Sequence, residues 1–299
     1  MSRSIKLRLP ATSANLGPGF DALGLAMALY LDIEATEVSE DCINATGRSP
    51  ELTADPQHSL IFTTYRDVLA KRGIAVLKLH LKLHNEIPLG MGCGSSAAAL
   101  LAGVHLANHF GALNWTPHQV MTEACLREGH PDNVAACALG GMTASTQQGA
   151  EILTATVGEH LPWRLLLALP SASLATEKAR ALLPNTYSRS DAVANIQRSS
   201  LLVAAFALNR PDLLRTAMQD RIHQPYRSEA CPLLPRLLPL ATRPGIYGVA
   251  LSGAGPSVLL ILDPTSPLES VARAVHEASS DPSMELLATT IAGPVEVTV

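Results

Sequence analysis

The chain is 299 residues long, carries a formal net charge of −4, and is 47% hydrophobic but only 4% aromatic, which suits one large domain or two ordinary ones around a sizeable core. No basic run points to a nucleic-acid surface, no long apolar run points to a membrane span, and the N-terminus has no signal-type apolar stretch. Cys42, Cys93, Cys125, Cys137 and Cys231 lack C-x-x-C spacing, which predicts reduced thiols in a cytoplasmic protein, with neither a disulfide framework nor a zinc site.

Ile5, Leu7 and Leu9 alternate with Lys6 and Arg8 and predict an opening strand. A turn-rich loop follows, from Ala11 to Asp21, and then an apolar stretch from Ala22 to Ile33. The spacing of Ile61, Tyr65, Val68 and Leu69 predicts an amphipathic helix over 59–72, and the alternation of Leu77, Leu79, Leu81 and Leu83 a half-buried strand over 76–84. Next comes Pro88-Leu-Gly-Met-Gly-Cys-Gly-Ser-Ser-Ala-Ala98, leading into a proline-free, Ala- and Leu-rich helix over 96–110. Thr116-Pro117-x-Gln119 is a capping-box start for a helix to Arg127 that stops at Gly129. Trp163–Leu169 reads as a buried strand. Helices are predicted near 175–183, 189–208, 211–219, 232–241 and 267–278, and strands at 246–251, 258–262 and 294–299. A weak composition shift near 150–160 places a domain boundary between 1–155 and 156–299.

The 88–98 stretch is the strongest chemical signal. Gly90, Gly92 and Gly94 let the backbone turn sharply and approach a ligand closely. Ser95 and Ser96 sit where a helix cap is expected, and the first-turn N–H groups with the positive end of the helix dipole make an anion site. Cys93 reads as a small loop filler, since no partner base accompanies it. Glu128, His130, Asp132 and Asn133 lie within six residues on a loop leaving a helix. That pattern fits an ordinary polar helix end, or a cluster in which Glu128 holds Mg²⁺ while Asp132 and Asn133 handle a hydroxyl or an ammonium group. Arg180 and Arg227 are either exposed surface arginines or forks for a carboxylate.

Three stretches together resemble the galactokinase, homoserine kinase, mevalonate kinase and phosphomevalonate kinase superfamily: Pro10-Ala-Thr-Ser-Ala-Asn-Leu-Gly-Pro-Gly-Phe-Asp-Ala-Leu-Gly24, the 88–98 loop, and Leu251-Ser-Gly-Ala-Gly-Pro-Ser-Val258. Ala-Asn-Leu-Gly-x-Gly-Phe-Asp, Gly-His-Pro-Asp-Asn-Val and Ala-x-x-Ala-Arg narrow the resemblance to the homoserine kinase family. The resemblance implies a two-domain α+β fold, ribosomal-S5-like at the N-terminus and ferredoxin-like at the C-terminus, with ATP between the domains. It implies transfer of the ATP γ-phosphoryl group to the side-chain hydroxyl of L-homoserine, in threonine biosynthesis, and a dimer. Residue by residue, Pro88, Leu89, Gly90, Met91, Gly92, Cys93, Gly94, Ser95, Ser96, Ala97 and Ala98 would wrap the phosphates, and Ser96 and Glu128 would hold Mg²⁺, with Glu123 one turn back as a second candidate. Asn15, Asp21, His130, Asp132, Thr176, Arg180 and Arg227 would form the amino-acid pocket. Asn133 would orient the hydroxyl and Asp132 mainly bind substrate, since a loose transition state needs positioning more than a strong base.

Two other enzyme readings compete. A mevalonate-type substrate has a carboxylate but no ammonium group, so Asp21 would be misplaced. A nicotinamide-binding Rossmann protein needs an acidic residue about twenty positions after its glycine loop, and Leu100 to His118 contains none. A non-catalytic ATP sensor would have no use for the magnesium and substrate residues.

Overall fold

Strand β1 (Ser4–Asn15) buries Ile5, Leu7 and Leu9 and turns Lys6 and Arg8 outward, so the period-two pattern is realised. It runs antiparallel to β2 (Gly19–Val38), and the register shifts at Ala14/Asn15. The computed structural model describes residues 3–171, 176–281 and 283–299. After β2 come β3 (Cys42–Gly47), α1 (Pro50–Thr53), α2 (Leu60–Ala70), β4 (Lys78–Asn85), α3 (Ser95–Phe110), α4 (Pro117–Glu128), α5 (Asp132–Leu139), β5 (Met142–Gln148) and β6 (Glu151–Val157). The second half holds β7 (Arg164–Leu169), α6 (Thr176–Ala181), α7 (Arg189–Ala207), α8 (Leu214–Ala217), α9 (Gln224–Arg227), α10 (Leu233–Leu237), β8 (Ile246–Leu251), β9 (Val258–Leu262), α11 (Leu268–Ser279), β10 (Glu285–Thr290) and β11 (Glu296–Thr298).

One sheet runs β11-β1-β2-β4-β3, with β5 also pairing β2 and β6 pairing β5; the other runs β10-β7-β9-β8. Among the described residues only the β3–β4 pair is parallel. A doubly wound parallel sheet is thereby excluded, and the α+β expectation is met. One hydrophobic core runs from Ile5 and Leu25 through α3 to Leu167 and Ile261, joining the inner faces of both sheets. A smaller cluster of Leu166, Leu234, Leu260 and Val275 fills the far face of the second sheet. No helix among the described residues is long and apolar enough to cross a membrane.

Three local departures from the sequence reading have physical causes. Gly129 ends α4 in the left-handed region as expected, but the chain re-enters a helix at once, so Asp132 and Asn133 open α5 and are not loop residues. The predicted 232–241 helix is a short α10 followed by a 3₁₀ turn, because Pro235 and Pro239 remove main-chain donors. The β5–β6 hairpin and β10 were not foreseen; their polar, half-exposed residues carry no clean alternation.

Candidate active site

Strand β4 ends at Asn85 and the chain loops into α3 through Gly90, Gly92 and Gly94, whose φ values are 69°, 74° and 72°. A Cβ on Gly92 would lie 2.2 Å from the Ser252 carbonyl oxygen, and one on Gly94 would lie 1.8 Å from Thr12 Oγ1. Gly94 occupies the N-cap position of α3, and no side chain caps that end. This corrects the expectation for Ser95 and Ser96, which are first-turn residues. The uncapped N–H groups and the helix dipole therefore face the cleft as an anion cradle. Cys93 is buried within the loop, and burial pushes its thiol up to about 12, so it is no nucleophile.

The cradle forms one wall of a cleft also lined by Asn15, Phe20, Asp21, Glu128, His130, Asp132, Asn133, Arg180, Arg227 and Gly253. The stretches 10–24, 88–98 and 251–258 thus converge with 128–133, Arg180 and Arg227 on one place. Ser96 Oγ donates to Glu128 Oε2 across 3.1 Å. Two neighbouring oxygens in an octahedral Mg²⁺ shell stand about 3 Å apart when each bond is about 2.1 Å. Burial raises the Glu128 carboxyl above its ordinary value, partly offset by His130 and Ser96. This donor pair fits Mg²⁺. Glu123 is bound by Arg72 at 3.2 Å and Arg127 at 2.7 Å and does not line the cleft.

At the other end, Arg180 grips Asp21 through two hydrogen bonds of 2.7 and 2.9 Å. The carboxylate and the guanidinium expected to hold opposite ends of a zwitterion thus neutralise each other across 159 positions of sequence. Asn15 and Asp21 both adopt left-handed backbone, with φ of 70° and 56°. Such strain persists where surrounding contacts over-determine it: Asn15 Oδ1 accepts from the Asp21 N–H at 3.1 Å, and its Nδ2 donates to Gly253 O at 2.9 Å. His130 Nδ1 lies 2.6 Å from Asp132 Oδ1, which also accepts the Asn133 N–H at 2.7 Å. Burial lowers the His130 pKa, but the Asp132 carboxylate outweighs it and the net direction is up.

Arg227 is almost completely buried. It donates to Ala179 O at 3.2 Å and Gly253 O at 3.3 Å, and lies 3.2 Å from His223 Nδ1. His223 Nε2 donates to Gly17 O at 2.7 Å, leaving Nδ1 as the acceptor for Arg227. Both guanidinium groups sit over the ring of Phe20, at 5.4 and 5.5 Å. Phe20, His223 and Gly253 do not stand out in the sequence, although Phe20 and Gly253 lie inside stretches that do. The backbone of Thr176 begins α6; its side chain lies outside the described residues. Beyond Ser95 and Ser96 is a second cavity of about 260 Å³, lined by Leu52, Leu60, Ile61, Ile87, Leu89 and Ala99. Of the whole lining, Leu89, Ser95 and Ser96 are site residues by the sequence reading.

Residues 59–141 match the GHMP kinases N terminal domain and residues 202–281 the GHMP kinases C terminal domain. The chain is 46% identical to the homoserine kinase of Solibacter usitatus over 260 residues, covering 86% of this chain and 84% of that one. It is 38% identical to the homoserine kinase of Synechocystis over 264 residues, covering 87% and 86%. Among solved structures, that of homoserine kinase from Cytophaga hutchinsonii superposes with a TM-score of 0.82 at 26% identity, covering 99% of this chain and 97% of that one. By its site geometry, its fold and these relatives, the chain belongs to the homoserine kinase family of GHMP kinases.

Proposed function

We propose that the chain transfers the γ-phosphoryl group of ATP to the side-chain hydroxyl of L-homoserine in the cleft between β1, α3, α5 and α6. The observation that carries this reading is the placement of Asp21, Arg180 and Arg227 in the same cleft as an uncapped helix N-terminus behind a glycine loop. A carboxylate for an ammonium group, guanidinium groups for a carboxylate and an anion cradle for phosphates are the three recognitions this reaction needs.

In this reading the phosphates lie along 88–98 and the base occupies the apolar cavity behind Ser95 and Ser96. Ser96 and Glu128 would hold Mg²⁺, which when bound neutralises charge on the phosphoryl oxygens. Substrate entry exchanges the Asp21–Arg180 pair for two intermolecular pairs, Asp21 with the ammonium group and Arg180 with Arg227 on the carboxylate. An exposed ion pair is worth about 0.2–1 kcal/mol, so opening it costs little. Asn133 orients the hydroxyl. Asp132, whose Oδ1 is occupied by His130 and the Asn133 N–H, offers Oδ2 to the substrate. Asp132→Asn separates binding from base catalysis: a rise in the homoserine KM marks a substrate ligand, whereas a loss confined to kcat with a shifted pH profile marks a base.

A mevalonate-type substrate would leave Asp21 without an ammonium partner, and Asp21 is held in a strained backbone position within the pocket. ADP release measured with ATP, Mg²⁺ and L-homoserine, mevalonate or shikimate tests the assignment. Turnover with homoserine is expected, and its absence overturns it. The resemblance extends the proposal to a cytoplasmic homodimer, which light scattering on the purified chain checks.

A further inference from the structure

Thr12 lies on β1 and is fully buried. Its hydroxyl is 2.8 Å from Asn133 Oδ1, and the direction of that hydrogen bond follows from what lies beside Asn133. Asp132 Oδ1 is 3.3 Å from Asn133 Nδ2, and an ionised carboxylate oxygen only accepts. The amide nitrogen of Asn133 therefore faces Asp132, its carbonyl oxygen faces Thr12, and Thr12 is the donor. With its oxygen turned toward Thr12 and one N–H toward Asp132, the Asn133 side chain keeps a second amide N–H for the cleft that it lines.

The same residue is tied to the phosphate loop. The Thr12 backbone N–H donates to Cys93 O at 3.0 Å. The space beside Thr12 Oγ1 is so close to Gly94 that a Cβ there would stand 1.8 Å from it. The next residue, Ser13, has its hydroxyl 2.9 Å from Ser252 Oγ, which lies 2.8 Å from Gly92 O. The end of β1 thus holds both the loop that would carry the phosphates and the amide that would meet the acceptor hydroxyl.

We propose that Thr12 is a positioning residue for phosphoryl transfer: its hydroxyl, donating to the Asn133 oxygen while the Asp132 carboxylate takes the amide N–H, holds the Asn133 amide in one orientation, so that a side-chain N–H donor, and not the carbonyl oxygen, meets the reacting oxygens. This rests on homoserine phosphorylation in this cleft and refines how Asn133 orients the hydroxyl, namely by donating to an oxygen lone pair. A freely flipping amide would present its carbonyl for part of the time, which repels both a phosphoryl oxygen and the lone pair used for attack.

Steady-state kinetics of Thr12→Val, which keeps the shape and removes the hydroxyl, and of Thr12→Ser, which restores it, test the proposal. The Val variant is expected to lose about tenfold or more in kcat, with the KM for ATP and for homoserine each within about threefold of wild type. The Ser variant is expected to recover to within about threefold of wild type. In an Asn133→Ala background the Val change should cost less than about twofold more, since its effect passes through that amide. A Val variant with wild-type kcat, a Ser variant as impaired as Val, or full additivity with Asn133→Ala overturns the proposal. If Thr12→Val does not fold, Thr12→Ala against Thr12→Ser gives the same comparison, and equal impairment of the two overturns the proposal in the same way. Wild-type enzyme run alongside separates the two readings, because absence of homoserine-dependent ATP turnover there counts against the substrate and not against Thr12.

Discussion

Arg227 offers the sharpest test of the amino-acid pocket, because its surroundings are unfavourable to a charge that has no ligand. The residue is 2% exposed, and among the described residues its hydrogen-bond partners include no carboxylate. Its partners are the neutral acceptors Ala179 O, Gly253 O and His223 Nδ1. Burial, with the nearby Arg180 charge, lowers its pKa from the ordinary value. A desolvated, uncompensated guanidinium is a poor contributor to stability, which is expected where the missing partner is a substrate carboxylate. Replacing Arg227 by Met keeps much of the volume and removes the charge. A hydrogen bond to a charged group is worth about 1.5–3 kcal/mol, so the homoserine KM should rise about 10- to 150-fold, at about 1.4 kcal/mol per factor of ten. The KM for ATP should change less than about twofold, since in the proposed reading Arg227 meets the amino acid and not the nucleotide. The midpoint of thermal unfolding should stay within about 3 °C of wild type, because relief of desolvation offsets the lost hydrogen bonds. ADP-coupled kinetics with both substrates varied, together with a melting curve, measure all three. A homoserine KM within about threefold of wild type, or an equal rise for ATP, would refute the reasoning.

Three further outcomes follow from other parts of the molecule. Glu128→Gln keeps the contact with Ser96 but removes the anionic oxygen, so the Mg²⁺ concentration for half-maximal activity should rise about tenfold or more; an unchanged magnesium titration would place the metal elsewhere. Gly94→Ala combines a φ of 72° with a Cβ 1.8 Å from Thr12 Oγ1, so both the melting temperature and the ATP affinity should fall, the left-handed backbone alone costing about 1–2 kcal/mol. His105 on α3 is pushed down to about 4 by burial, from an ordinary 6.5. A base with a depressed folded pKa binds protons more readily when unfolded, so its contribution is lost as the pH falls from 6.5 towards about 4. His105→Gln should flatten that limb by about 1–2 kcal/mol in urea melts at pH 5 relative to pH 7, and identical pH profiles would exclude it.

What could be read in the sequence is what is local in it. The alternation of β4, three glycines and an Ala-rich run define a strand, a cradle and a helix within thirty-three residues, from Lys78 to Phe110. Thr116 and Gln119 write their capping box over four positions, and the structure forms it. The stretch 128–133 was legible as chemistry but not as structure, because Gly129 and Pro131 look like the end of one helix when they also prepare the next. Pairing across long sequence separations was not legible at all. Nothing near Asp21 or Arg180 says that each is the other's partner. Nothing in Pro-Ala-Thr-Ser distinguishes the Thr12 hydroxyl from any buried strand threonine until Asn133 is brought beside it from 121 residues away. His223 reads as one histidine among ten, and becomes meaningful only once Gly17 O accepts its Nε2–H and leaves Nδ1 to Arg227. The groups that would touch substrate are thus carried by short stretches with characteristic composition, whereas the groups that aim them are defined only by the fold, because a positioning hydrogen bond constrains one partner's chemistry and leaves its neighbours in sequence free.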